Sequence, residues 1–301
     1  MLTVEPSGEI LCATVRGVDL SQPLSLGDKG RILAAIGKHG LLRFPDQHLT
    51  VLQHKAFCQQ FGDMHHSSQH FAEGVKEISV LSNIRKDGQL IGYPDAGIIW
   101  HRDMTYTPQP GFANVLYALI IPKRDGKPLG NTEFINSQAA YRDLPEDVKK
   151  KIAAARGLHS VEKYNEIVRG LGSNRPAYKD QVRQSPKQSH PLVFNHPITG
   201  NPVLYCDPGH VDAIEGLPEG EDPEAMLDFL IAHQLQDKYR YVFRWTQGDA
   251  VMWDNLGSLH RVIIDFTKDE PRLMHRAQIM ADKINDPAFL RPALEAARME
   301  P

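Results

Sequence analysis

Cysteine is scarce in this 301-residue chain: Cys12, Cys58 and Cys206 are widely separated and form no CxxC pair. That speaks against a disulfide framework or a zinc knuckle and suits reduced, structural thiols in the cytoplasm. Long hydrophobic runs are also missing. The longest, around 112–121, is broken by Asn114 and falls short of the roughly 18 residues that span a bilayer. The N-terminus lacks a basic stretch followed by an apolar one, so it does not read as a signal peptide. No charge of one sign dominates. A net charge of −3 gives no general attraction to nucleic acid or to an anionic membrane, and neither is expected as a partner. There is no internal repeat, no P-loop and no GxGxxG after a strand, which disfavours solenoid, nucleotide-triphosphatase and Rossmann readings.

What is present is an ordinary globular composition, 41% hydrophobic and 24% charged, with many turn residues (23 Gly, 21 Pro). Apolar residues fall at helical spacing over 25–39 and 50–61, with Ser25 and Thr50 as caps. A strand is expected over 10–16, and short apolar strands over 40–44, 78–81 and 114–121. Others are expected over 202–205, 241–245, 250–254 and 274–280. Pro145 and the acids after it start a helix near 144, and a further helix is expected over 224–234. The segment 82–97 reads as a loop. The segment 158–191, with Arg169, Lys179, Arg183 and Lys187, reads as a polar, irregular excursion rather than a nucleic-acid patch. Short strands with helices concentrated early predict one mainly β domain over 1–301 with flanking helices, a double-stranded β-helix or jelly roll.

Chemistry enters at Trp100-His101-Arg102-Asp103. In extended chain, residues two apart point to one side, so His101 and Asp103 can converge on one metal. A second segment runs from the Gly248-Asp249 turn through an apolar strand to His260, which could complete the pair across a β core. Two histidines and a carboxylate occupy one face of an octahedron and leave positions for a bidentate oxo-acid and dioxygen, as Fe(II) oxygenases require. A zinc hydrolase would more usually be tetrahedral with an added base. A third segment, Arg272-Leu-Met-His-Arg276, sets two arginines on one face of a strand with His275 on the other. A planar guanidinium suits carboxylates, sulfonates or phosphates.

In order along the chain, Val18-Asp-Leu-Ser-Gln-Pro-Leu24, Phe61-Gly62, Trp100-His-Arg-Asp103, Gly130-Asn-Thr-Glu-Phe134, Trp253-Asp-Asn255, His260 and Arg272-Leu-Met-His-Arg276 make up a specific set. With it the sequence resembles the TauD/TfdA family of Fe(II)- and 2-oxoglutarate-dependent dioxygenases over nearly its whole length. The resemblance implies iron ligands at His101, Asp103 and His260, and 2-oxoglutarate bound by Arg272 with the hydroxyl of Thr132. It also implies contact of Arg276 with an anionic group of the substrate. His66 or Ser67 falls where relatives contact substrate, and Tyr106, just past Asp103, faces the substrate or fills the mouth of the barrel. A lid is expected from the loop 85–99 and an insertion around 158–191. The implied reaction is oxidation, by default hydroxylation, of a small anionic organic molecule with O2, giving succinate and CO2, in a homo-oligomer. A sulfonate- or sulfate-ester-cleaving oxygenase is the nearest alternative to a carboxylate oxygenase. A non-catalytic jelly-roll binding protein is the alternative from another class.

Overall fold

Gly111–Ile120 and Ala250–Asp254 are almost wholly apolar and buried along their length, so the sheet they form must be covered on both faces. The computed structural model describes residues 2–173 and 186–299. Its largest sheet has eight strands in the order Thr3–Pro6, Ala13–Arg16, Leu41–Phe44, Ala250–Asp254, Gly111–Ile120, Leu273–Met280, Val75–Ser82 and Phe71–Ala72. All neighbours are antiparallel except Ala13–Arg16 with Leu41–Phe44. Val115, Tyr117, Met252 and Ile279 face a layer of helices. Leu116, Ala118, Val251, Trp253 and Met274 face the opposite way, into a second core. There they meet Phe134, Phe243 and Trp245, from or next to a three-stranded sheet of Arg240–Phe243, Thr132–Asn136 and Ser258–Val262.

The helices form where the caps allow. Ser25 accepts from the Asp28 amide ahead of Leu26–His39, and Gly40 ends that helix in the left-handed region (φ 66°). Thr50 and Gln53 make a reciprocal capping box ahead of Val51–Gln59. The C-terminal helix Pro287–Met299 packs on the first one at Gly30, where a Cβ would lie 1.8 Å from the Ala293 carbonyl oxygen.

Several expectations need correction. The excursion 158–191 is structured at both ends. The strand Arg156–His159 pairs with Gln188–Pro191 and Val211–Glu215, and the Ser160-capped helix Val161–Gly170 follows it. Charged side chains on the outer face of that helix hid its apolar stripe of Tyr164 and Val168. The middle of the expected insertion, 174–185, lies outside the described residues, as do Lys179 and Arg183. The loop 82–97 holds a small hairpin, Arg85–Lys86 with Gln89–Leu90. Among the described residues, no helix is long and apolar enough to cross a membrane.

Candidate active site

The three-stranded sheet is extended at its edge by His101. The His101 amide donates to the His260 carbonyl at 3.2 Å, and the His260 amide donates back at 3.0 Å. This pairing sets two imidazoles side by side, ring centroids 4.2 Å apart. Two residues on, Asp103 turns its carboxylate to the same spot, 3.6 Å from the Nε2 of each histidine. One ligand atom from each of the three lies within 4.8 Å of the others, and all three residues are buried.

Backbone contacts lock this arrangement. The Asn255 side chain accepts from the Asp103 amide (3.0 Å) and donates to the Asp103 carbonyl (2.8 Å). The Asn114 amide, oriented with its nitrogen toward Asp103 Oδ2 at 3.3 Å, accepts from Trp253 Nε1 at 3.1 Å. Arg102 points the other way, fully buried. It donates to the carbonyls of Leu204 (2.8 Å) and Cys206 (3.1 Å) and to Ser137 Oγ (2.6 Å). The residue between the two candidate ligands thus anchors their segment to the neighbouring strand.

The donor set fits a divalent metal. His101 Nδ1 lies 2.8 Å from the Ile99 carbonyl, which calls for a proton there and leaves Nε2 as a lone pair facing Asp103. Burial would raise the Asp103 pKa, but the Arg276 guanidinium, His101 and His260 hold it well below the carboxylate range. Burial, then His101, hold His260 well below the usual imidazole range. Both are therefore in their metal-binding protonation states at neutral pH, so a metal displaces no proton from them.

Arg272 enters the strand Leu273–Met280 buried, its guanidinium 5.9 Å from the Phe266 ring. Among the described residues it has no ion-pair partner, and Nε has no hydrogen-bond partner. Burial lowers its pKa to about 10, so it still carries its charge. Gly130 makes room for it: a Cβ there would be 2.9 Å from Arg272 Nε. Thr132, two residues on and also buried, accepts from Trp245 Nε1 at 3.0 Å, which leaves its hydroxyl proton available.

A cavity of about 320 Å³ opens onto His101 and Asp103. Of the residues anticipated on the substrate side, Arg276, His66, Ser67 and Tyr106 all line it. Arg276 reaches the Asp103 carboxylate at 3.3 Å, a contact that sequence alone did not suggest. His66 is the most exposed of them, 3.5 Å from Glu77 at the rim. Ser67 donates to the Gln69 carbonyl at 2.7 Å. Tyr106 packs on His210, centroids 5.3 Å apart. Tyr93 and Tyr164, in the two segments expected to form a lid, are also in the wall, and the Gly97 amide donates to the Tyr164 hydroxyl at 3.1 Å. Arg272 and Thr132 do not line this cavity. His210 and Gln278 do, and sequence reasoning missed both. Gln278 has the same strand parity as Arg272 and Arg276, which was the available signal. His210 had none beyond a Pro-Gly turn.

A family profile described as "Taurine catabolism dioxygenase TauD, TfdA family" matches residues 3–278. The chain is 31% identical to (S)-phenoxypropionate/alpha-ketoglutarate-dioxygenase of Sphingobium herbicidovorans, over 95% of this chain and 97% of that one. It is 27% identical to alpha-ketoglutarate-dependent 2,4-dichlorophenoxyacetate dioxygenase of Cupriavidus pinatubonensis, over 86% and 91% of the two chains. Among solved structures, AAD-2 in complex with Mn(II) and N-oxalylglycine superposes with a TM-score of 0.76 at 27% identity, covering 93% of this chain and 97% of that one. A taurine dioxygenase from Burkholderia xenovorans gives 0.73 at 28% identity, covering 96% and 94%. With residues 3–278 matched and a buried His-Asp-His trio where the motifs fall, the protein belongs to the TauD/TfdA family, as an alpha-ketoglutarate-dependent dioxygenase using Fe(II), 2-oxoglutarate and O2.

Proposed function

We propose that the protein hydroxylates a small anionic organic substrate, a carboxylate carrying an aromatic ring, and releases succinate and CO2. The observation that carries this reading is the wall of the cavity. One guanidinium, Arg276, and the rings of Tyr93, Tyr106 and Tyr164 line the same space as His101 and Asp103. A cation beside aromatic faces suits an arylated acid better than a compact, non-aromatic sulfonate. The kinship with a phenoxypropionate dioxygenase supports the same choice.

In this reading His101, Asp103 and His260 hold Fe(II), and Arg272 with Thr132 binds the distal carboxylate of 2-oxoglutarate. When bound, iron and 2-oxoglutarate supply the oxidation of a C–H bond by dioxygen, the co-substrate being decarboxylated. The chain's own part is placement. Arg276 draws the substrate anion into the cavity, Tyr106 and the residues at His66 and Ser67 bound its other end, and Tyr164 shields His101 from water with its ring (centroids 5.2 Å apart). We read the two facing sheets as a double-stranded β-helix, because they share one core and pair almost wholly antiparallel. We also read the chain as a single domain, with the lid drawn from 85–99 and 158–191. The homo-oligomer implied by the resemblance belongs to the same proposal, and light scattering tests it.

A succinate-release screen with Fe(II), 2-oxoglutarate and air, across phenoxy acids, sulfonates, amino acids and phosphonates, tests the function. Phenoxyalkanoates should stimulate succinate formation most. Stimulation by sulfonates alone would replace the carboxylate reading with its alternative.

A further inference from the structure

Asp207 belongs to the turn Asp207-Pro208-Gly209-His210 that follows the strand Pro202–Leu204, and its carboxylate is wholly buried. Oδ1 accepts from the His210 amide at 2.8 Å, an ordinary way for an aspartate to cap a turn. The same oxygen also lies 3.1 Å from His210 Nδ1, a contact that capping does not need. His210 in turn forms part of the cavity wall. Its ring stacks on Tyr164 at 5.2 Å with the planes 12° apart, and Tyr106 flanks it. The turn is pressed against the metal-binding segment at Gly209, where a Cβ would come within 3.0 Å of His101 Cβ and of the Trp100 carbonyl oxygen. A shift of this turn would therefore be felt by both the cavity wall and a candidate ligand. Burial would raise the Asp207 pKa, yet His210, His159 and Arg102 hold it below the carboxylate range, so it is ionised at neutral pH.

We infer that Asp207 is a positioning residue for the substrate cavity: it holds His210 as the Nδ1–H tautomer and fixes the ring plane against Tyr164, leaving the Nε2 edge as the one open to a ligand. A carboxylate is a hydrogen-bond acceptor only, so the proton between Asp207 and His210 must reside on the imidazole. Without that acceptor the ring could flip or exchange tautomers, and the wall would lose its defined polarity. The role of the cavity as substrate site rests on the function proposed above, whereas the tautomer does not.

Two measurements separate them. Long-range 1H–15N correlation spectra of the full chain loaded with Zn(II) and 2-oxoglutarate, with His210 assigned through His210→Gln, read the tautomer directly. The native protein and Asp207→Asn, whose Oδ1 can still accept, should show the proton on Nδ1, and Asp207→Ala should lose that state. With phenoxyacetate as substrate, Asp207→Ala should raise KM by about tenfold and change kcat much less, with Asn restoring most of the loss, as expected when one hydrogen bond to a charged group is removed. A proton on Nε2 of native His210, or native tautomer and KM in Asp207→Ala, overturns the inference. If Asp207→Ala does not fold, the native and Asn spectra decide. If phenoxyacetate gives no stimulated turnover in the native protein, the substrate reading fails while the tautomer result still stands or falls alone.

Discussion

At the scale of single residues, charge and protonation state divide the labour of the site. Asp103 is ionised and His260 neutral before any metal arrives, because burial disfavours charge on both and only Asp103 has the Arg276 guanidinium beside it to outweigh that cost. His260→Ala should therefore remove metal binding without a large loss of fold. The anaerobic Fe(II)–2-oxoglutarate absorption band in the visible should vanish, and its persistence would refute the ligand assignment. Arg272 gives a second prediction. A buried guanidinium with no ion-pair partner among the described residues is ready for a ligand carboxylate. Arg272→Ala should weaken 2-oxoglutarate binding by about 2–5 kcal/mol, roughly thirty- to several-thousand-fold, measurable by calorimetry. Unchanged affinity would show that the carboxylate binds elsewhere. The spacing of His101 with Asp103, and of Arg272 with Arg276, was legible because strand geometry alone puts residues of like parity on one side. The Arg276–Asp103 pair and the role of Asn255 were not, because each joins residues far apart in sequence.

At the scale of elements, the helices brace the sheet from behind the site, and their register depends on small residues. Leu26–His39 and Pro287–Met299 come close enough at Gly30 that no side chain fits. Gly30→Ala should force them apart and cost about 1–3 kcal/mol by overpacking. Urea unfolding reads the loss, and Arg272-dependent binding of 2-oxoglutarate should survive in the folded fraction. An unchanged midpoint would mean that the two helices adjust freely. Capping made Leu26–His39 and Val51–Gln59 readable in advance, since Ser25 and Thr50 announce their starts. The strands Thr132–Asn136 and Ser258–Val262 were not anticipated. Their polar residues, Glu133, Asn136 and Arg261, mask short strands that gain stability by pairing with each other and with Arg240–Phe243.

At the scale of the whole molecule, buried histidines make stability depend on pH. Burial lowers His54 to about 3, with His275 adding to it, lowers His159 to about 3, and lowers His275 to about 4. In the unfolded chain each would titrate near 6.5, so unfolding takes up protons below that pH. Stability should be fully present above about pH 6.5 and fall as pH drops toward 4, by about 1.5 kcal/mol per histidine between pH 6.5 and 5. Urea midpoints at pH 7.5 and 5 test this, and His54→Leu should make the slope shallower. Equal midpoints at the two pH values would contradict it.

The sequence by itself determined the chemistry on offer: a His-x-Asp pair, a distant histidine and two arginines of like parity. Those features depend on local backbone geometry, which a few residues specify. Only the tertiary structure decided that His260 pairs with His101 through the backbone, that Arg276 leans on Asp103, and that the polar stretch after 158 folds into a strand and a helix over the cavity. It also brought Asp207 and His210 to the cavity wall. Such contacts depend on which strands become neighbours, and that is settled by burying two faces of one sheet at once.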